Sequence, residues 1–352
     1  MYILKGWFFS DFLDRLFASS TCVVLVEHYK RIPPFINFYH YSRMLEIYHL
    51  EPDRLNIPKV GEFVNNIEDY KIIDNDCDLY DVNSGKLVAK FRKKVIDKNI
   101  NDFVDATRVL ARRKKENRGA GAGFIDRNKL RETVGELYNT MTYRTYYYKK
   151  DGQKSKTHIC NLAKSNVLGY IDTPVRAGNK LTGTHLSKYC IDYPQRYKHA
   201  KPLIELMSDL FKDLDKDRWD LLDKKINNDY RIGNSCFSTV TINSSWQSAT
   251  HYDANNGDNL FACMAVIEDY TNKNEYKGGH FLLPEFKIAF NVRHGDLILC
   301  NTQSYLHCNS PLIATEPTKI VGKFSSQDIK QGWYFNRLSV VAYLKKSCIK
   351  NS

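Results

Sequence analysis

The sequence predicts an α+β protein built on a double-stranded β-helix, a jelly-roll or cupin-like core, with flanking helices and an N-terminal α/β extension. Three observations carry this. After Gly233 the chain reads as short β-rich segments punctuated by glycine, proline and asparagine, the spacing of a sandwich or jelly roll and not of alternating strand and helix. Just upstream, Leu203, Leu206, Met207, Leu210, Phe211 and Leu214 recur at helical spacing. The 352 residues, 43% of them hydrophobic, suffice for a sizeable core in one or two domains and exclude a disordered chain.

Taken in order, residues 1–75 mix aromatics, apolar runs and charges and yield no chemistry. Val23 to Val26 reads as a buried strand, broken by Pro33-Pro34. A hairpin is predicted from Asp78 to Val82 and Leu87 to Phe91 around the turn Asn83-Ser84-Gly85. The basic triplet Arg92-Lys93-Lys94 follows, and a helical pattern over 101–117 ends in Arg112-Arg113-Lys114-Lys115. Next comes Asn117-Arg118-Gly119-Ala120-Gly121-Ala122-Gly123. It is either a flexible linker or a place where bare backbone approaches something closely. Residues 138–158 interleave tyrosines with lysines, which suits either nucleic acid or a strand with its lysines in water.

Pro202 is expected in the first turn of the helix over 202–214, with a second helix from Trp219 to Ile226. The later strands are predicted at Cys236–Asn243, Ser248–Asp253, Leu260–Ile267, His280–Leu283, Phe286–Val292, Asp296–Asn301 and Arg337–Leu344.

The net charge, 52 − 40 = +12, is what a polyanionic partner attracts, although solubility alone would also account for it. Nine cysteines, an odd number without a C-x-x-C pair, point to buried thiols in a reducing, intracellular compartment and not to a disulfide framework or zinc ribbon. The N-terminus is cut by Lys5, Asp11, Asp14 and Arg15, unlike a signal peptide, and no apolar run is long enough for a membrane span, so no membrane partner is expected.

Chemistry concentrates in the last third. On a strand, residues i and i+2 leave the same face, so His251-Tyr252-Asp253 would project an imidazole and a carboxylate together. That is two thirds of the 2-His-1-carboxylate arrangement that holds non-haem Fe(II). A second H-x-D, His294-Gly295-Asp296, has glycine at its centre and leads into an apolar strand, so it reads as a turn. Of the histidines after 253, His307 sits past a strand and before Asn309-Ser310-Pro311, where it completes the set, while His280 follows a glycine pair and borders the pocket. Arg337 and Ser339 share a strand face, and guanidinium plus hydroxyl suits a clamp on a carboxylate.

These stretches resemble the TET/J-binding-protein family of Fe(II)- and 2-oxoglutarate-dependent dioxygenases, in particular its phage and microbial members. The likeness rests on Phe237–Asn243, His251-Tyr252-Asp253, Tyr276–Pro284, His307–Pro311 and Arg337-Leu338-Ser339, and extends more weakly to Lys90–Lys93, Asn117–Gly123 and Gly169–Asp172. Lys180, where arginine is expected, and a long segment before Arg337 depart from the pattern.

The resemblance implies Fe(II) on His251, Asp253 and His307, and 2-oxoglutarate on Arg337, Ser339 and Asn243. It implies base recognition by Asn256, His280 and Asn309, and phosphate contacts by Arg92, Lys93, Arg112, Arg113 and Arg118. O2 would be the oxidant and ascorbate a stimulant. The partner would be DNA with a methylated pyrimidine flipped out of the stack, and the product a 5-hydroxymethyl base. The setting would be a nucleus, a virus- or phage-infected cell or bacterial cytoplasm. Residues 76–352 would form the oxygenase domain, with its core at 233–346, after an N-terminal region 1–75. The same chemistry on a protein or small molecule, and a silent nucleic-acid-binding module, are the competing readings.

Overall fold

A computed structural model describes residues 21–23, 45–111, 119–126, 146–148, 154–160, 163, 165–173, 183–254, 256–268, 276–315 and 337–350. Two sheets form the body. The larger has ten strands in the order Thr21–Val23, Glu46–Leu50, Cys77–Asp81, Lys86–Arg92, Leu297–Cys300, Ala262–Glu268, Arg337–Tyr343, Thr239–Ser244, Ser165–Thr173 and Gly183–Leu186. The smaller orders Cys308–Asn309, Phe281–Leu283, Ile288–Phe290 and Lys71–Ile73.

The period of two decides what each face meets. From the central strand, Leu338, Val340 and Ala342 point to one side, where Cys263, Ala265 and Ile267 of the neighbouring strand join Leu203, Ile204, Met207 and Phe211 of the long helix. Met264, Val266, Ile298 and Cys300 point to the other side and pack on Phe281, Leu283, Ile288 and Phe290 of the smaller sheet. Each buried Val, Leu, Ile, Phe or Met among them stabilises the fold by about 1.5–3 kcal/mol. A one-residue slip of the central strand would bury Arg337 among the helices. The hydrophobic pattern therefore places Arg337 and Ser339 between the two sheets.

The long helix runs Pro194–Leu214, longer than predicted, with Pro194 in its first turn and Pro202 in its interior. Pro202 is therefore not the helix start it was expected to be; Pro194 is, and the buried stripe through Tyr197 and Ala200 continues the pattern upstream of Pro202. The second helix is Lys216–Lys225, capped by Asp215.

The hairpin forms as predicted, at Cys77–Asp81 and Lys86–Arg92. The boundary expected at residue 75 does not. Lys71–Ile73 pairs in parallel with Ile288–Phe290 in the smaller sheet, and Glu46–Leu50 with Cys77–Asp81 in the larger, so strands from before residue 75 enter each sheet. Likewise the large sheet extends well beyond 233–346, because the hairpin pairs with Leu297–Cys300 and Ser165–Thr173 with Thr239–Ser244. The expectations at 24–26, Lys180, Arg112, Arg113 and Arg118 lie outside the described residues.

Candidate metal centre and co-substrate cavity

Ser248–Asp253 is not a regular strand. His251 instead forms a single antiparallel bridge with His307, each amide donating to the other's carbonyl at 3.0 and 3.1 Å. The bridge brings the two imidazoles to a centroid distance of 4.3 Å. Asp253 closes the cluster: its carboxylate oxygens lie 3.7 Å from His251 Nε2 and 3.9 Å from His307 Nε2. One donor atom from each of the three residues falls within 4.8 Å of the others, the only such three-residue cluster among the described residues.

The second ring nitrogens decide whether this set fits a metal. His251 Nδ1 is 2.8 Å from the Ala249 carbonyl and His307 Nδ1 3.2 Å from the Tyr305 carbonyl. A carbonyl can only accept, so both Nδ1 atoms carry the proton and both Nε2 lone pairs face the cluster. Burial, with His251 next, pushes the His307 pKa down to about 4, which keeps that imidazole neutral and able to ligate. Side-chain exposure is 7% for His307 but 21% for His251 and 29% for Asp253, so the cluster opens on the Asp253 side. Two imidazoles and a carboxylate with an open side are the donor set of a non-haem Fe(II) site.

Several groups hold this cluster in shape. The Thr302 carbonyl accepts from the Asp253 amide at 3.0 Å, and Tyr305, whose carbonyl holds His307, donates its hydroxyl to buried Asp81 at 3.1 Å. Buried Glu285 accepts from the Tyr252 hydroxyl at 3.0 Å and from the Leu306 amide at 3.4 Å, joining the neighbours of two cluster histidines. None of these supports was predicted, because each contact bridges residues far apart in sequence.

A narrow cavity opens between the sheets. Its lining includes Met264, Val266, Phe281, Asn309, Arg337 and Ser339. Arg337 is 2% exposed and donates to the Gly279 carbonyl at 2.8 Å, while its Nε has no partner. Among the described residues no carboxylate forms an ion pair with it. A buried guanidinium left so is costly unless an anion completes it. Gly279 has φ +71°, and a β-carbon there would collide with Leu312 Cδ2 at 2.6 Å, so the backbone beside the guanidinium has to be bare. Asn243 faces Ser339 across the sheet and leaves its buried Oδ1 unpartnered, which puts a second orphaned polar atom on this face.

His280 approaches from the glycine pair and is held by Ser310 Oγ, at 3.0 Å from its amide and 3.1 Å from Nδ1. Burial, then Arg337 and Arg293, lower its pKa, so it stays neutral. Asn309 accepts from Ser248 Oγ at 2.6 Å.

Three predicted contacts need correction. Asn256 is 2% exposed and its amide nitrogen donates to Thr302 Oγ1 at 3.0 Å, so it supports the Asp253 loop and is not free to read a base. Asn256→Ala should cost about 1–3 kcal/mol of stability by stranding that hydroxyl, read as a lower urea midpoint with the product spectrum unchanged. Arg92 is bound to Asp78 at 2.7 Å and to the Cys77 and Phe91 carbonyls. Lys93 is bound to Asp74 and to fully buried Asp296. Both cations are thus engaged with carboxylates of their own fold. The second H-x-D is the turn it was expected to be: Gly295 has φ +79°, and Asp296 accepts from the amides of Lys94 and Arg293.

Phe281, which lines the cavity, has its ring centroid 5.7 Å from that of His307 and so joins the two places. A jelly roll with this triad and an arginine-lined cavity next to it defines a class, the Fe(II)- and 2-oxoglutarate-dependent oxygenases. Residues 170–346, half of the chain, match the Tet_JBP family, the oxygenase domain of the 2OGFeDO superfamily, and the chain belongs to that family. Membership implies Fe(II) and 2-oxoglutarate. Thymine dioxygenase JBP1 of Trypanosoma brucei brucei is 28% identical over 184 residues, 51% of this chain and 19% of that protein. The thymine dioxygenase JBP1 of Crithidia fasciculata is 27% identical over 158 residues, 44% of this chain and 18% of its own. The chain spans about a fifth of the length of these curated relatives. Among solved structures, NgTET1 in complex with 5mC DNA aligns over 84% of both chains at 12% identity and a TM-score of 0.45.

Proposed function

We propose that this chain is a dioxygenase that hydroxylates the 5-methyl group of a pyrimidine in DNA, 5-methylcytosine or thymine, giving a 5-hydroxymethyl base, succinate and CO2. The observation that carries it is the triad next to an arginine-lined cavity in a chain of the Tet_JBP family. The name thymine dioxygenase on its relatives and the net charge of +12 support a methylated pyrimidine in a polyanion as substrate.

His251, Asp253 and His307 would hold Fe(II), which with O2 and 2-oxoglutarate supplies the oxidising power to hydroxylate a methyl C–H bond. Arg337 binds the distal carboxylate of 2-oxoglutarate through its free Nε, with Ser339 and Asn243 beside it. Met264, Val266 and Phe281 wall the cavity and exclude water from that ion pair. Asn309, which lines the cavity, and neutral His280, whose carbonyl it meets, are the polar side chains offered to the base. The methyl group is shielded inside a duplex, so the nucleotide must leave the stack, at a cost of a few kcal/mol. Among the described residues seven cysteines are free and buried, which suits an intracellular, reducing compartment.

The test is nucleoside mass spectrometry on duplexes carrying 5-methylcytosine or only thymine, incubated with protein, Fe(II), 2-oxoglutarate and ascorbate. Hydroxymethyl nucleoside should form only when Fe(II) and 2-oxoglutarate are both present, with DNA-stimulated succinate. Succinate release that no DNA stimulates would shift the substrate to a protein or small molecule.

A further inference from the structure

The stretch ahead of the matched region reaches into the triad. A β-carbon on Gly121 would lie 3.3 Å from both Nε2 and Cδ2 of His251 and 3.4 Å from Cε1. Three ring atoms at nearly one distance put that position over the face of the imidazole, at its Nε2 end, and not beyond its edge. The His307 ring, 4.3 Å away, leaves the imidazole little room to yield. Backbone bonds tie the same glycine to the ring: the Ala249 amide donates to the Gly121 carbonyl at 3.0 Å, and His251 Nδ1 donates to the Ala249 carbonyl at 2.8 Å.

A second segment locks the first. The Gly61 amide donates to the Thr250 carbonyl at 2.7 Å, and the Thr250 amide to the Glu62 carbonyl at 2.9 Å. The Phe124 amide donates back to the Gly61 carbonyl at 3.0 Å. Gly61 has φ +89°, and a β-carbon there would collide with the Phe124 ring at 2.2 Å, so this junction too requires bare backbone.

We propose that Gly119–Phe124, braced by residues 59–62, is a positioning clamp for His251. It fixes the plane of the imidazole so that Nε2 faces Asp253 and His307. The glycine-rich stretch is thereby neither a linker nor a phosphate loop; its bare backbone is there to lie flat on a ligand. This rests on the metal assignment above, and its test separates the two.

In the full chain, Co(II) and Fe(II) binding are measured for wild type, Gly121→Ala and Gly119→Asn. Gly119 has φ +57° and nothing within 4 Å of its β-position, and asparagine tolerates that backbone, so it is the control. Gly121→Ala should bind both metals about 10- to 100-fold more weakly and shift the Co(II) ligand-field spectrum, with Gly119→Asn like wild type. A Gly121→Ala protein with wild-type affinity and spectrum would overturn the clamp. Absence of Co(II) and Fe(II) binding in wild type would overturn the metal assignment beneath it. Should Gly121→Ala not fold, hydrogen exchange on wild type decides: Co(II) should slow the amides of 121–124, and exchange that Co(II) leaves unaltered contradicts the proposal.

Discussion

His251→Ala or Asp253→Ala should abolish hydroxymethyl product and weaken Fe(II) binding by more than about 100-fold, beyond the 10- to 100-fold lost when only a ligand's supporting partner is removed. The cause is local. Each side chain offers one of three donors, and neither belongs to a hydrophobic cluster. The melting temperature of the metal-free protein should therefore stay within a few degrees of wild type. That pairing of lost metal with retained fold separates a ligand from a core residue. Anaerobic Fe(II) titration with thermal melting in chelator checks it. A His251→Ala protein that still turns over would sink the assignment.

Arg337→Met should raise the KM for 2-oxoglutarate by about 30- to several-thousand-fold, the 2–5 kcal/mol typical of a buried charge pair that loses one partner. Its guanidinium is buried, donates to the Gly279 carbonyl, keeps Nε unpartnered and pairs with no carboxylate among the described residues, so the demand it presents is for an anion. Methionine keeps the packing beside Val266 and Phe281 and leaves the triad untouched. The expected signature is retained Fe(II) affinity with failed co-substrate binding, the reverse of the His251 variant. Arg337→Lys restores charge without the planar fork and should fall between the two. Isothermal titration of 2-oxoglutarate into Co(II)-loaded protein reads this directly.

What was legible in the sequence follows from which forces are local. Alternation along Arg337–Leu344 fixed the shared face of Arg337 and Ser339, because a period of two is set by the backbone itself. The glycine at the centre of His294-Gly295-Asp296 marked a turn for the same reason. His251 and Asp253 converge as expected, yet through an isolated bridge to His307 and not through a strand, since that pairing depends on a partner distant in sequence. Asn256, Arg92 and Lys93 misled for a related reason. A polar side chain looks free in sequence until the fold supplies Thr302, Asp78 or Asp296. The role of Gly121 was visible only as a demand for close approach, and what approaches is the His251 ring.

The central claim, an oxygenase acting on a DNA methyl group, is tested most directly with 18O2 and a duplex containing 5-methylcytosine and thymine. One labelled oxygen should enter a hydroxymethyl nucleoside and the other succinate, in equal amounts, with neither product in the His251→Ala protein. Labelled succinate without any labelled nucleoside, across both bases, would contradict it.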